Sequence, residues 1–139
     1  MHVSFALFAD AANLSQDGKL KILGVFDALQ VMTFPAMHPR ANLVLHLKGT
    51  SEDIGTHSVA FRWLSPGGQE LWTSSGELNV GAPAPGAAGM DLPLIAQLDL
   101  PLDAPGTYTM AVAIDNNHAL DVPLHVRTAL HIAPTSLFS

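Results

Sequence analysis

The chain has 139 residues, and 12 Asp and Glu against 6 Lys and Arg give a formal net charge of −6. Charged residues make up only 13% of it, about half the ~25% usual in soluble domains, while apolar residues reach 48%. The absence of cysteine excludes disulfides, thiolate nucleophiles and Cys-based zinc sites, and the few scattered basic residues argue against nucleic acid or an anionic membrane as partner.

The N-terminal segment Met1 to Leu14 is apolar. It lacks a basic residue ahead of its apolar run, and Asp10 interrupts that run, so a signal peptide is not expected, although Ala9-Asp10-Ala11 has the small-x-small form. No stretch approaches the ~18 apolar residues that span a bilayer. A cytoplasmic protein of one domain, residues 1–139, is the expectation.

Hydrophobic spacing follows a period of two. Val3 to Ala9 alternates, Ser15-Gln16-Asp17-Gly18 turns the chain, and Lys19 to Asp27 alternates back, which reads as a hairpin. Ala28 to Thr33 allows a further short strand. Residues 34–39 carry two prolines and are expected to be irregular. Strands follow over Ala41 to Lys48, Ser58 to Leu64 and Glu70 to Val80, with Ser65-Pro66-Gly67-Gly68-Gln69 as a hairpin loop. Residues 81–91, which include Gly81-Ala82-Pro83-Ala84-Pro85-Gly86-Ala87-Ala88-Gly89, form an exposed loop rather than a domain boundary. Leu92 to Leu100, Gly106 to Asp115 and Leu120 to Ile132 complete the strands. The fold class is all-β: a two-layer antiparallel β-sandwich of eight or nine strands, immunoglobulin-like or a related Greek key. In Asp103-Ala104-Pro105-Gly106-Thr107-Tyr108 a tyrosine opens a strand just after a turn, as in a tyrosine corner, and Trp63 is expected between the sheets.

Few residues carry a chemical signature. His46 and His125 each face outward if the leucines beside them face the core, and two such histidines on neighbouring strands could ligate a metal, with His131 and His57 as further members. No HxH, HxxxH or HExxH spacing supports that site, so polar outer-face histidines are the plainer expectation. The aspartates sit at strand ends, where turn formation explains them better than calcium. No GxSxG elbow, GxGxxG turn or P-loop occurs, so no enzymatic activity and no cofactor are expected. A carboxylate-pair hydrolase is the weakest alternative. Asp10, Asn13 and His38 mark the candidate ligand site, at one end of the sandwich.

The segments Phe5 to Asn13, Asp17 to Leu20 and Ile22 to Asp27, followed by Phe34-Pro35, His38-Pro39 and Leu43-Val44-Leu45, form one continuous pattern. Gly106-x-Tyr108, Ile114-Asp115 and Pro123-Leu124-x-Val126 extend it. The pattern resembles a family of short bacterial proteins whose domain has no assigned function. The resemblance implies a single β-sandwich domain in a bacterial cytoplasm, and it brings no catalytic residue, cofactor or substrate.

The hairpin is apolar on both sides, unlike a sheet with one solvated face. Val3, Phe5, Leu7, Leu20, Ile22 and Phe26 are expected in the core. Ala6, Phe8, Leu23 and Val25 are then left outside, as are Ala111 and Ala113. Uncharged outer faces call for a second layer, either residues 28–41 folding back or another subunit. The leading expectation is a non-enzymatic interaction module that forms a homo-oligomer, most simply a dimer, through Phe8, Leu23 and Val25.

Overall fold

The computed structural model describes residues 1–87 and 89–129. Nine strands run in chain order: β1 His2–Leu14, β2 Leu20–Phe26, β3 Ala28–Val31, β4 Ala36–Gly49, β5 Gly55–Leu64, β6 Glu70–Val80, β7 Met90–Leu102, β8 Gly106–Ile114 and β9 Asn117–Thr128. They build two packed sheets, a four-stranded one in the order β2-β1-β4-β7 and a five-stranded one in the order β3-β9-β8-β5-β6. This is the expected β-sandwich.

Turn chemistry sets the hairpins. Ser15 and Ser65 open matching loops. The Ser15 N–H donates to the Lys19 carbonyl at 2.9 Å and the Ser65 N–H to the Gln69 carbonyl at 2.8 Å. Gly18 and Gly68 hold φ of 82° and 85° inside them, which costs glycine nothing. The two-residue turn between β8 and β9 puts Asp115 and Asn116 at φ of 52° and 66°, the signature of a type I′ turn whose twist matches the strands.

Two departures from the expected pattern have local causes. One pairing is parallel: β3 lies along β9, Ala28 beside His125 and Val31 beside Thr128. The chain leaves the four-stranded sheet at Phe26 and enters the other at Ala28, with only Asp27 between, so no turn reverses it. The Asp27 carbonyl at the crossing accepts the His125 N–H at 2.8 Å. The second departure is that residues 36–39, within the 34–39 segment expected to be irregular, begin β4. There β4 pairs with β7 alone, because β1 reaches only to Asn42. Pro39 falls in a bulge between His38 and Ala41, a place where a missing N–H breaks no ladder.

The core lies between the sheets and centres on Trp63, Tyr108 and Phe8, all essentially buried. Trp63 stacks on Tyr108 with ring centroids 5.3 Å apart and meets Phe8 edge-on at 6.2 Å. Its indole N–H donates across the sandwich to the Pro101 carbonyl at 2.9 Å. The Tyr108 hydroxyl accepts the N–H groups of Asp103 and Ala104 at 2.9 and 3.0 Å. Its single proton faces the Ala104 carbonyl and the Asp103 carboxylate, each at 2.7 Å. The tyrosine corner read from the sequence is therefore present.

Candidate functional site

The first hairpin positions the surface of interest. Phe8 pairs with Phe26, Ala9 with Val25, Ala11 with Leu23 and Ala12 with Ile22. Extended at about 3.3 Å per residue, this ladder would carry Ala12 and its partner Ile22 roughly 23 Å from Phe5. Instead Phe5 and Ile22 line one cleft, together with Gly18, Lys19, Leu20, His46, Asp91 and Pro93. The outer half of the hairpin therefore bends back over the outer face of its own sheet. The bend sits at Asp10 and Gly24. Gly24 has a φ of 70°, and the Asp10 carboxylate occupies the space a side chain at Gly24 would need. The Asp10 carbonyl is taken by the buried Asn42 side-chain amide, which donates to it at 3.0 Å.

This arm supplies the second layer that the uncharged outer face called for. Residues 28–41 are not that layer, since β3 belongs to the opposite sheet and β4 is part of the covered sheet itself. Ala12, Leu20 and Ile22 are half-buried on the covered side of the arm, and Ala11, Lys21 and Leu23 are exposed on the other.

The expected faces of β1 need correcting. Ala6 and Phe8 face the core, and Phe8 is 1% exposed, while Phe5 and Leu7 face outward. A bulge between Val3 and Phe5 inserts one residue, and a one-residue slip turns every later side chain to the other face. Phe8 is thus removed from the surface set. Leu23 and Val25 remain, at 72% and 60% exposed.

Val25 borders a groove of about 350 Å³ where the two sheets meet, lined with Ala6, Leu7, Phe8, Phe26, Asp27, Val122 and Pro123. Because β2 covers only Phe8–Leu14 of β1, nothing in the first sheet closes this side among the described residues. Leu23 and Val25 are two residues apart on β2 and both exposed.

The cleft under the arm holds about 450 Å³. On its floor Phe5 and His46 stack with ring centroids 5.2 Å apart and planes inclined by 2°. Ser4 Oγ lies 2.6 Å from His46 Nδ1, and His46 Nε2 is 3.7 Å from Asp91, which also pairs with Lys48 at 3.2 Å. The imidazole is thus oriented in a cleft that Phe5, Leu20, Ile22 and Pro93 line with apolar groups and Lys19 and Asp91 with charged ones.

The remaining candidates do not converge. His46 lies on β4 and His125 on β9, strands of different sheets. Each points away from the core leucines beside it, so the whole sandwich separates the rings and they cannot share a metal ion. His125 Nδ1 instead meets Thr107 Oγ1 at 3.0 Å, and His131 lies outside the described residues. Among the described residues, no group of three or more His, Cys, Asp or Glu side chains is placed to hold a metal. Asp10 serves the bend, Asn13 stands opposite Lys21 on the arm, and His38 packs edge-on against Phe26 at 5.4 Å.

One cluster escaped the sequence reading. His57 Nδ1 lies 2.6 Å from the Asp115 carboxylate and Nε2 lies 2.6 Å from the Asp53 carbonyl. Both partners only accept, so the arrangement favours the imidazolium form, in which both ring nitrogens donate. Asp115 raises the His57 pKa, the Asp53 carbonyl adds to this, and His57 in turn lowers that of Asp115. The Asp53 carboxylate receives the Thr50 N–H and the Met1 ammonium, and is lowered by them in that order. Both ring nitrogens and all four carboxylate oxygens of Asp53 and Asp115 are engaged within the protein, so this is a clamp between the 51–53 turn, β5 and the β8–β9 turn. The residues are 58 positions apart, beyond any local motif.

Among the described residues no helix is long and apolar enough to cross a membrane. No curated protein matches the chain. The profile of a family of unknown function, DUF6941, matches residues 4–127, a span holding the bent hairpin, nearly all of both sheets and the tyrosine corner, and the chain belongs to that family.

Proposed function

We propose that this protein is a non-enzymatic interaction module of the bacterial cytoplasm, and that it self-associates through the exposed side of its N-terminal hairpin. The observation that carries this reading is the placement of Leu23 and Val25. They are the most exposed apolar residues of the hairpin, on the side that its own fold leaves bare, beside an open, mostly apolar groove. In a two-fold dimer, Leu23 of each copy seats in the groove beside Val25 and Pro123 of the other, a self-complementary knob and hole. Sedimentation of the wild type and of Leu23→Lys tests it. The variant is expected to lose this association while keeping its far-UV spectrum, and an unchanged mass distribution would contradict the reading.

A second reading, a small-ligand protein, is favoured by the cleft under the arm. Its volume lies within the range of about 300 to 1,000 Å³ typical of ligand sites, with apolar walls at Phe5, Leu20, Ile22 and Pro93, one oriented imidazole, and Lys19 and Asp91 beside it. A planar apolar molecule bearing one hydrogen-bonding group fits that chemistry. Thermal shift with indole and with benzoate tests it, His46→Ala being the control that abolishes a specific shift.

A further inference from the structure

The outermost strands differ in how they are protected. An unpaired strand edge templates pairing with another chain, and proteins blunt it with prolines, lysines, bulges or short length. The outermost strand β3 has four residues. Strand β2 carries Lys21 and the Gly24 bend, and β7 carries Pro93 and Pro101. Strand β6 has only one of these devices, a bulge at Leu71 near its start. It spans 11 residues, Glu-Leu-Trp-Thr-Ser-Ser-Gly-Glu-Leu-Asn-Val, without Pro, Lys or Arg. Its register with β5 is unbroken from Gly55↔Val80 to Trp63↔Trp72, so the free edge is regular over Trp72 to Val80, about 30 Å.

We propose that β6 pairs antiparallel with β6 of a second copy, about a two-fold axis through Ser75, joining two five-stranded sheets into one. This site is independent of the hairpin surface. The axis position follows from the sequence of the strand. A two-fold axis perpendicular to the sheet keeps core faces on one side only if paired positions have the same parity. Centring on Ser75 is the register of that kind that pairs Trp72 with Leu78 across the axis. It also sets Thr73 opposite Glu77, and it leaves the bulged start at Glu70 and Leu71 outside the regular ladder. No like charges then face one another, and Glu77 meets a hydroxyl. Trp72 and Leu78, both half-buried against the core of their own copy, cover each other twice across the axis. Shifting the axis to Ser74 loses that match, placing Trp72 opposite Gly76.

The absence of cysteine makes a clean crosslinking test. In the proposed register Ser75 faces itself, with Cα atoms about 4.5 to 5.5 Å apart, inside disulfide reach. Thr73 of the two copies lie roughly 13 Å apart. Ser75→Cys and Thr73→Cys, both at exposed positions, are oxidised mildly at equal concentration and followed on non-reducing gels. The Ser75→Cys dimer is expected to form at least about tenfold faster than the Thr73→Cys dimer, and to do so equally when Leu23→Lys is added. Co-oxidising Thr73→Cys with Glu77→Cys is expected to restore fast crosslinking between the two variants. Equal slow rates for Ser75→Cys and Thr73→Cys would overturn the proposal. Loss of fast crosslinking on adding Leu23→Lys would also overturn it as a separate surface.

Discussion

His57 is held on both ring nitrogens by groups that can only accept, and this gives the clamp a pH window. Its pKa is raised, chiefly by Asp115 and then by the Asp53 carbonyl. The stabilisation it brings is therefore complete below its ordinary value of 6.5 and is lost as pH rises through the raised value. Asp115 is lowered, chiefly by His57 and then by the Ser58 N–H, so its share is present above 3.8 and lost as pH falls through the lowered value. Thermal melting across pH is expected to show a plateau between these limits. His57→Gln is expected to flatten the alkaline decline, and an unchanged decline would rule the clamp out as its source. Tyr108 makes the second residue-scale case. Tyr108→Phe strands the Asp103 and Ala104 N–H groups and is expected to cost about 1 to 3 kcal/mol in urea unfolding. These residues differ in legibility for a physical reason. Tyr108 meets partners four and five positions away, so a local motif announces it. His57 has one partner four positions away, but Asp115 lies 58 positions away and meets it only when β5 and β8 pair in the five-stranded sheet.

At the scale of elements, the strand alternation and turn chemistry were legible, and seven of the nine strands lie essentially where hydrophobic period and Gly, Asn and Asp turns place them. The phase of β1 was not. The bulge at Ser4 is a matter of backbone pairing with β4, and nothing in Val3-Ser4-Phe5 marks it. The bend of the hairpin was equally silent, because a glycine at position 24 suits a regular strand, a bulge or a kink. Both corrections can be measured. Phe8→Ala is expected to cost about 3 to 5 kcal/mol, as for a buried aromatic. Leu23→Lys, on the bare side of the arm, is expected to change monomer stability by no more than about 0.5 kcal/mol. If the two were equally damaging, the face assignment would be wrong. Gly24→Ala forces a left-handed φ on a residue with a Cβ, costing about 1 to 2 kcal/mol, and displaces the Asp10 carboxylate. It is expected to lower the melting temperature and to increase proteolysis within residues 15–19, whereas Gly67→Ala, where a Cβ meets little, serves as the tolerant control.

At the scale of the whole molecule, the low charge has a structural distribution. Part of it belongs to the outer face of the four-stranded sheet, where Leu7, Val44 and Ile95 stand in register and the bent arm folds over the same face beside Phe5, His46 and Pro93. Another part is the exposed pair Leu23 and Val25 with the groove at Pro123, which the fold leaves open. The sandwich thus covers one apolar outer face with its own chain and presents a smaller one, and that smaller surface is the proposed basis of its function. Sedimentation equilibrium in a Ser75→Lys background, which blocks β6 pairing, isolates it. The account predicts that Ser75→Lys protein still dimerises and that adding Leu23→Lys yields a folded monomer. A Ser75→Lys protein that is already monomeric at high micromolar concentration, with Leu23 and Val25 intact, would contradict it.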